Sequence, residues 1–144
     1  MDKENRSHDP VIIFVCEHGA AKSIIAAAYF NKFARERNLR FHAVARGTHP
    51  DSELSPSTVA GLHKDGLTPN ESVPQKLSAA DMESAQQIVS FCELSEEYQK
   101  QVVVTQWNDI PAVSDDYVKA RDGIVARIHQ LELKSAFQEK EKRK

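Results

Sequence analysis

The chain reads as an α/β protein, a three-layer domain whose four-stranded parallel sheet carries helices on both faces. Three observations predict this. Val11-Ile-Ile-Phe-Val15 is a continuous apolar run, the pattern of a strand buried on both faces. A loop of mostly small residues, Cys16 to Ala21, joins that run directly to an alanine-rich helix. Beyond it, apolar strand candidates alternate with helical segments, which calls for parallel strands joined by crossover helices.

Taken in order, the polar first ten residues end at Pro10 and read as a flexible arm. The first helix is predicted over Lys22 to Arg37, with Ile25, Ala28, Tyr29 and Phe33 repeating at helical spacing. Leu39 to Ala45 alternates apolar with polar or basic residues and predicts a second strand, followed by the turn-forming stretch Arg46 to Glu53. Ser55-Pro56 opens a second helix, with proline at its tolerated first position, which ends near Asp65-Gly66. Thr68 to Ala80 reads as loop, and Ser78 caps a short helix around Asp81 to Ala85. Gln87 to Phe91 and Val102 to Thr105 supply the remaining strands, on either side of an acidic helical segment from Leu94 to Gln99. The last helix, Ser114 to Leu133, carries Val118, Ile124, Val125, Ile128 and Leu131 on one side. Residues 137–144, of mixed charge and little apolar content, predict a flexible tail.

The 144 residues fit one domain, residues 1–144, large enough to bury a core without staples. A formal net charge of −2 gives no bulk electrostatic case for nucleic acid or a membrane surface. No apolar run approaches the roughly 20 residues of a membrane span, and the N-terminus lacks a signal-peptide core. The two cysteines, Cys16 and Cys92, have neither disulfide-scaffold nor zinc-ligand spacing, so a reducing cytoplasm is the expected setting and no metal is implied.

Chemistry concentrates where the first strand ends, the position at which parallel sheets bind ligands. Cys16 stands there, and the loop and helix N-terminus that follow aim backbone N–H groups at whatever lies over it. That favours a thiolate and a bound tetrahedral oxyanion together. Lys22 adds a cation, Ser23 can hydrogen-bond the sulfur, and Gly19 supplies freedom for positive φ. The binding set is therefore Glu17, His18, Gly19, Ala20, Ala21 and Lys22, for a small oxyanion or phosphoester. An ordinary buried cysteine at a strand end is the competing reading of Cys16.

The loop resembles the Cys-x5-Arg-Ser phosphate-binding loop of the low-molecular-weight protein tyrosine phosphatase superfamily, which includes the thiol-dependent arsenate reductases. Cys16, Ser23 and Ala26-Ala-Ala-Tyr-Phe30 fall in register with it. Ala45-Arg-Gly-Thr48 is similar to the family's Ser-Ala-Gly-Thr, and Asp81 with Ala85 to Phe91 to its Asp-x-x-Asp-x-Ile-Val segment. Trp107-Asn-Asp-Ile-Pro111 resembles the Trp…Asp-Pro loop. The resemblance implies Cys16 as nucleophile and Asp109 as general acid, with Asp115 and Asp116 as runners-up that also read as the acidic first turn of a helix. No cofactor is implied.

The departures carry equal weight. Lys22 replaces the family arginine, keeping the charge and losing the planar bidentate fork. Gly19 replaces an asparagine and His18 a glycine; His18 can steer an acidic ligand or simply face solvent. An isoleucine separates Asp109 from Pro111, and the tyrosines many members place after that loop are missing. Cys92 resembles the first extra cysteine of the arsenate reductases, while the third is absent, which excludes a three-cysteine relay. Three functions follow: hydrolysis of phosphate monoesters through a cysteinyl-phosphate, arsenate reduction using Cys16 with Cys92 or an external thiol such as thioredoxin, and oxyanion binding with weakened catalysis.

Overall fold

The computed structural model of the protein describes residues 10–99 and 102–131. The arm through residue 9, the tail at 137–144 and positions 132–133 of the expected last helix lie outside them.

Strand β1 (Val11–Cys16) is buried from Ile12 onward because its alternate residues face two different layers. Ile12, Phe14 and Cys16 join a core built with helices α1 (Lys22–Arg37) and α5 (Tyr117–Gln130). Ile13 and Val15 pack on the other face with Leu77, Met82, Ile88 and Leu94, around helix α3 (Ala79–Ser84) and the short α4 (Glu96–Gln99). The sheet runs β2-β1-β3-β4, all parallel, with β2 at His42–Gly47, β3 at Ala85–Ser90 and β4 at Val104–Gln106. The four-stranded parallel architecture is the one expected. From β1 the chain crosses to β2 on one side, while β3 lies on the other, so the carboxyl end of β1 opens at the point where strand order reverses.

Local signals fix most boundaries. Ser55 caps helix α2 (Pro56–Lys64), its hydroxyl accepting from the Thr58 amide. Ser78 forms a reciprocal capping box with Asp81 at α3. Several expectations need correction: β3 runs Ala85–Ser90 rather than Gln87 to Phe91, β4 runs Val104–Gln106 rather than Val102 to Thr105, and α5 ends at Gln130 because Leu131 turns extended. Strand β2 starts at His42 rather than Leu39, because Asn38 turns left-handed at the end of α1 and the Leu39 amide returns to the Ala34 carbonyl. Helix α5 starts at Tyr117 rather than Ser114, because Asp116 is the residue whose side chain accepts from the Lys119 amide. Val118 is 52% exposed, off the buried face, which Ala120, Ile124 and Ile128 make instead.

Strand β2 is a sheet edge, closed by the side chains of Asn31 and Glu71 and by the backbone of residues 75–77. The Asn31 amide on α1 both accepts from the Ala43 N–H (2.8 Å) and donates to the Ala43 carbonyl (3.1 Å). Glu71 accepts from the Ala45 amide, and Gln75 from Gly47.

Candidate active site

β1 delivers Cys16 at its carboxyl end, paired in register with Gly47 of β2. The sulfur is 3.0 Å from the Ser23 hydroxyl and the residue is buried. Between them residues 17–21 curl, with Gly19 at φ +62°. The curl is held from outside by the connection after β2. Thr48 donates to the Cys16 carbonyl, His49 to Glu17, Asp51 to His18 and Ser55 to Ala20, at 2.7–3.2 Å. A planar trans peptide points its C=O and the next N–H in opposite directions. Fixing those four carbonyls outward therefore turns the amides of Glu17, His18, Gly19 and Ala21 the other way.

Among the described residues, no backbone carbonyl accepts from the amides of Glu17 to Lys22. Helix α1 also opens without a side-chain cap, Ala21 standing at that position, and without an acidic residue in its first turn. Helix starts normally satisfy their first N–H groups from a side chain. This one has no such side chain, and its first N–H groups with the positive end of the dipole are of the kind that can bind an anion.

The other predicted residues are placed differently. The Lys22 ammonium donates to the Ile110 carbonyl at 2.8 Å, tying the loop to the segment after β4. Asp109 in that segment is 68% exposed and ion-paired with Arg127 of α5. Its neighbours Trp107, Ile110 and Val113 are buried. His18 is exposed, its Nδ1 3.2 Å from Asp51 and its Nε2 3.8 Å from Glu17. Asp116 serves as helix cap, and Asp115 is exposed with its amide donating to Ala112. Cys92 is partly buried beyond β3, in contact with Ser90. Burial is the main force pushing its thiol pKa up, and the Ser90 hydroxyl beside it works the other way. Among the described residues no group of three His, Cys, Asp or Glu side chains is arranged to hold a metal, and no helix is long and apolar enough to cross a membrane.

Sequence reasoning did not foresee two contributors. The brace formed by Thr48, His49, Asp51 and Ser55 had no signal beyond a run of turn formers. Arg127 had none, since it reaches Asp109 only through the docking of α5.

The model of the family "low molecular weight phosphotyrosine protein phosphatase" matches residues 11–131. No curated protein matches. Among solved structures, a mutant of YwlE from Bacillus subtilis aligns at 21% identity and TM-score 0.73, covering 91% of this chain and 99% of that one. A thioredoxin-dependent arsenate reductase from Corynebacterium glutamicum aligns at 19% and 0.68, covering 88% and 68%. The Drosophila arginine phosphatase DARP aligns at 16% and 0.68, covering 82% and 92%. At these identities the neighbours establish the fold. The family match spans the sheet, the loop after Cys16 and the segment around Asp109, and by it the chain belongs to the low molecular weight phosphotyrosine protein phosphatase family.

Proposed function

We propose that the protein hydrolyses phosphate monoesters through a cysteinyl-phosphate on Cys16. The observation that carries this reading is the outward bracing of the loop carbonyls, which leaves successive amides and an uncapped helix start for a tetrahedral anion beside a sulfur. In the first step the Cys16 thiolate attacks phosphorus while the bond to the leaving oxygen breaks. Asp109 gives that oxygen its proton. In the second step water attacks the phosphorus, Asp109 takes its proton back, and inorganic phosphate leaves with the thiolate restored. Ser23 supports the sulfur as nucleophile and leaving group. The amides and Lys22 stabilise the charge on the phosphoryl oxygens, the dominant contribution in phosphoryl transfer. Asp109 must exchange its Arg127 partner for the leaving group, and its place beside the segment that Lys22 holds keeps it within the same loop system.

A second reading, arsenate reduction, is favoured by the placement of Cys92 directly after Phe91, whose amide donates to the carbonyl of Val15, the residue before Cys16. Attack of the Cys92 sulfur on an arsenylated Cys16 would form a disulfide, pass two electrons to arsenic and release arsenite. A thiol, protein or small molecule, would then reduce the disulfide. Burial pushes the Cys92 thiol pKa up and so works against forming the attacking thiolate, which is why hydrolysis stands first.

The test is turnover of p-nitrophenyl phosphate, and of arsenate with dithiothreitol, by the wild type, Cys16→Ser and Cys92→Ser. Phosphate release should fall by at least about 10³-fold in Cys16→Ser, the order expected for loss of a covalent nucleophile. Arsenite formation dependent on both Cys16 and Cys92 would instead establish the second reading.

A further inference from the structure

The segment Asn108 to Pro111 makes no backbone–backbone hydrogen bond among the described residues. It leaves β4 at Trp107, whose amide is fixed to the Ser90 carbonyl, and rejoins hydrogen-bonded backbone at the Ala112–Asp116 turn. Among the described residues the main chain between is held by one hydrogen bond, from the Lys22 ammonium to the Ile110 carbonyl. The residue that departs most from the family loop is therefore the one that reaches the segment carrying Asp109.

We propose that Lys22 is a positioning residue that couples the oxyanion cradle to the Asp109 segment, one N–H holding Ile110 while the others face the anion. This rests on the reading of residues 17–22 as an oxyanion cradle. An ammonium has three donors disposed around one nitrogen, so it serves a carbonyl and an anion at once. A guanidinium laid bidentate on an anion commits its planar fork to that ligand. Lysine at this position exchanges grip on the anion for attachment of the neighbouring segment. The Ile110 bond fixes the ammonium before the anion arrives and so lowers the entropy lost on binding. By linkage, the bound anion strengthens the hold on Ile110 to the same degree.

Backbone amide chemical shifts of the full chain, titrated with inorganic phosphate, test this. In the wild type, phosphate should shift the amides of Glu17 to Lys22 and, at the same midpoint, those of Asp109, Ile110, Ala112 and Val113. In Lys22→Met the phosphate-free shifts of the second group should differ from the wild type, and phosphate should move only the first group, with about tenfold weaker affinity, the loss expected for one charge-assisted hydrogen bond. Unmoved phosphate-free shifts at 109–113 in the variant overturn the proposal. So does a wild type in which phosphate shifts 17–22 and leaves 109–113 unmoved, an outcome that spares the cradle. Absence of any phosphate effect at 17–22 overturns the cradle reading and the coupling together. The wild-type comparison needs no variant, so it decides the matter even if Lys22→Met does not fold.

Discussion

A Cβ built on Gly47 would stand 2.7 Å from the Gly19 nitrogen and 2.9 Å from its Cα, closer than backbone atoms tolerate. Gly19 is needed for two reasons, its φ of +62° and the same close approach. The first is legible in the sequence, because a tight anion loop calls for one left-handed residue. The second is not, since nothing local to Arg46-Gly47-Thr48 reveals that another loop will cross it. The Cys16–Ser23 contact is likewise readable, because seven residues of loop and helix start bring the hydroxyl back over the sulfur. Gly47→Ala should push the loop off its brace, costing about 1–3 kcal/mol of stability by overpacking. Phosphate affinity should fall at least about tenfold, roughly the worth of one misplaced charge-assisted hydrogen bond. Urea denaturation and phosphate titration check the two effects.

Elements are positioned by contacts their own sequences only half announce. Ser55, Ser78 and the proline at the start of α2 are boundary signals that hold. The starts of β2 and α5 each shift by three residues, because the exit of α1 and the capping aspartate Asp116 compete successfully with the local pattern. Three helices meet at Asp65, the residue closing α2. It accepts from Tyr29 of α1 at 2.6 Å and from Tyr117 of α5 at 2.9 Å, and pairs with Arg121 at 3.0 Å. Gly61 permits this, since a Cβ there would meet the Tyr117 ring at 2.4 Å. Asp65→Asn should destabilise the fold by about 1–3 kcal/mol, as the charge-assisted bonds weaken and Arg121 loses a partner. The urea midpoint measures it.

The same cluster shapes the stability of the whole molecule against pH. Burial works to raise the Asp65 carboxyl, but hydrogen bonds from Tyr29, Tyr117 and Arg121 outweigh it and hold its pKa below the ordinary carboxylate value. A depressed carboxyl contributes stability above its unfolded pKa and loses it as pH falls through the folded one. Burial, and then the bond to Asp65, push Tyr29 up to about 12, and Tyr117 moves up for the same reasons. Raised phenols contribute stability that is complete below their unfolded pKa, near 10, and lost as pH rises toward the folded value. Urea midpoints should therefore fall at both extremes, and both limbs should flatten in Asp65→Asn.

The parallel sheet, the first helix, the cysteine at the end of β1 and the small-residue loop are each legible in local periodicity or in contiguous residues. Only the tertiary structure decided which groups brace that loop, that Lys22 reaches Ile110, and that Asp109 meets Arg127. Those contacts join residues up to 88 positions apart. They depend on how helices and connections dock on the sheet, a sum over the whole core that no window of sequence contains.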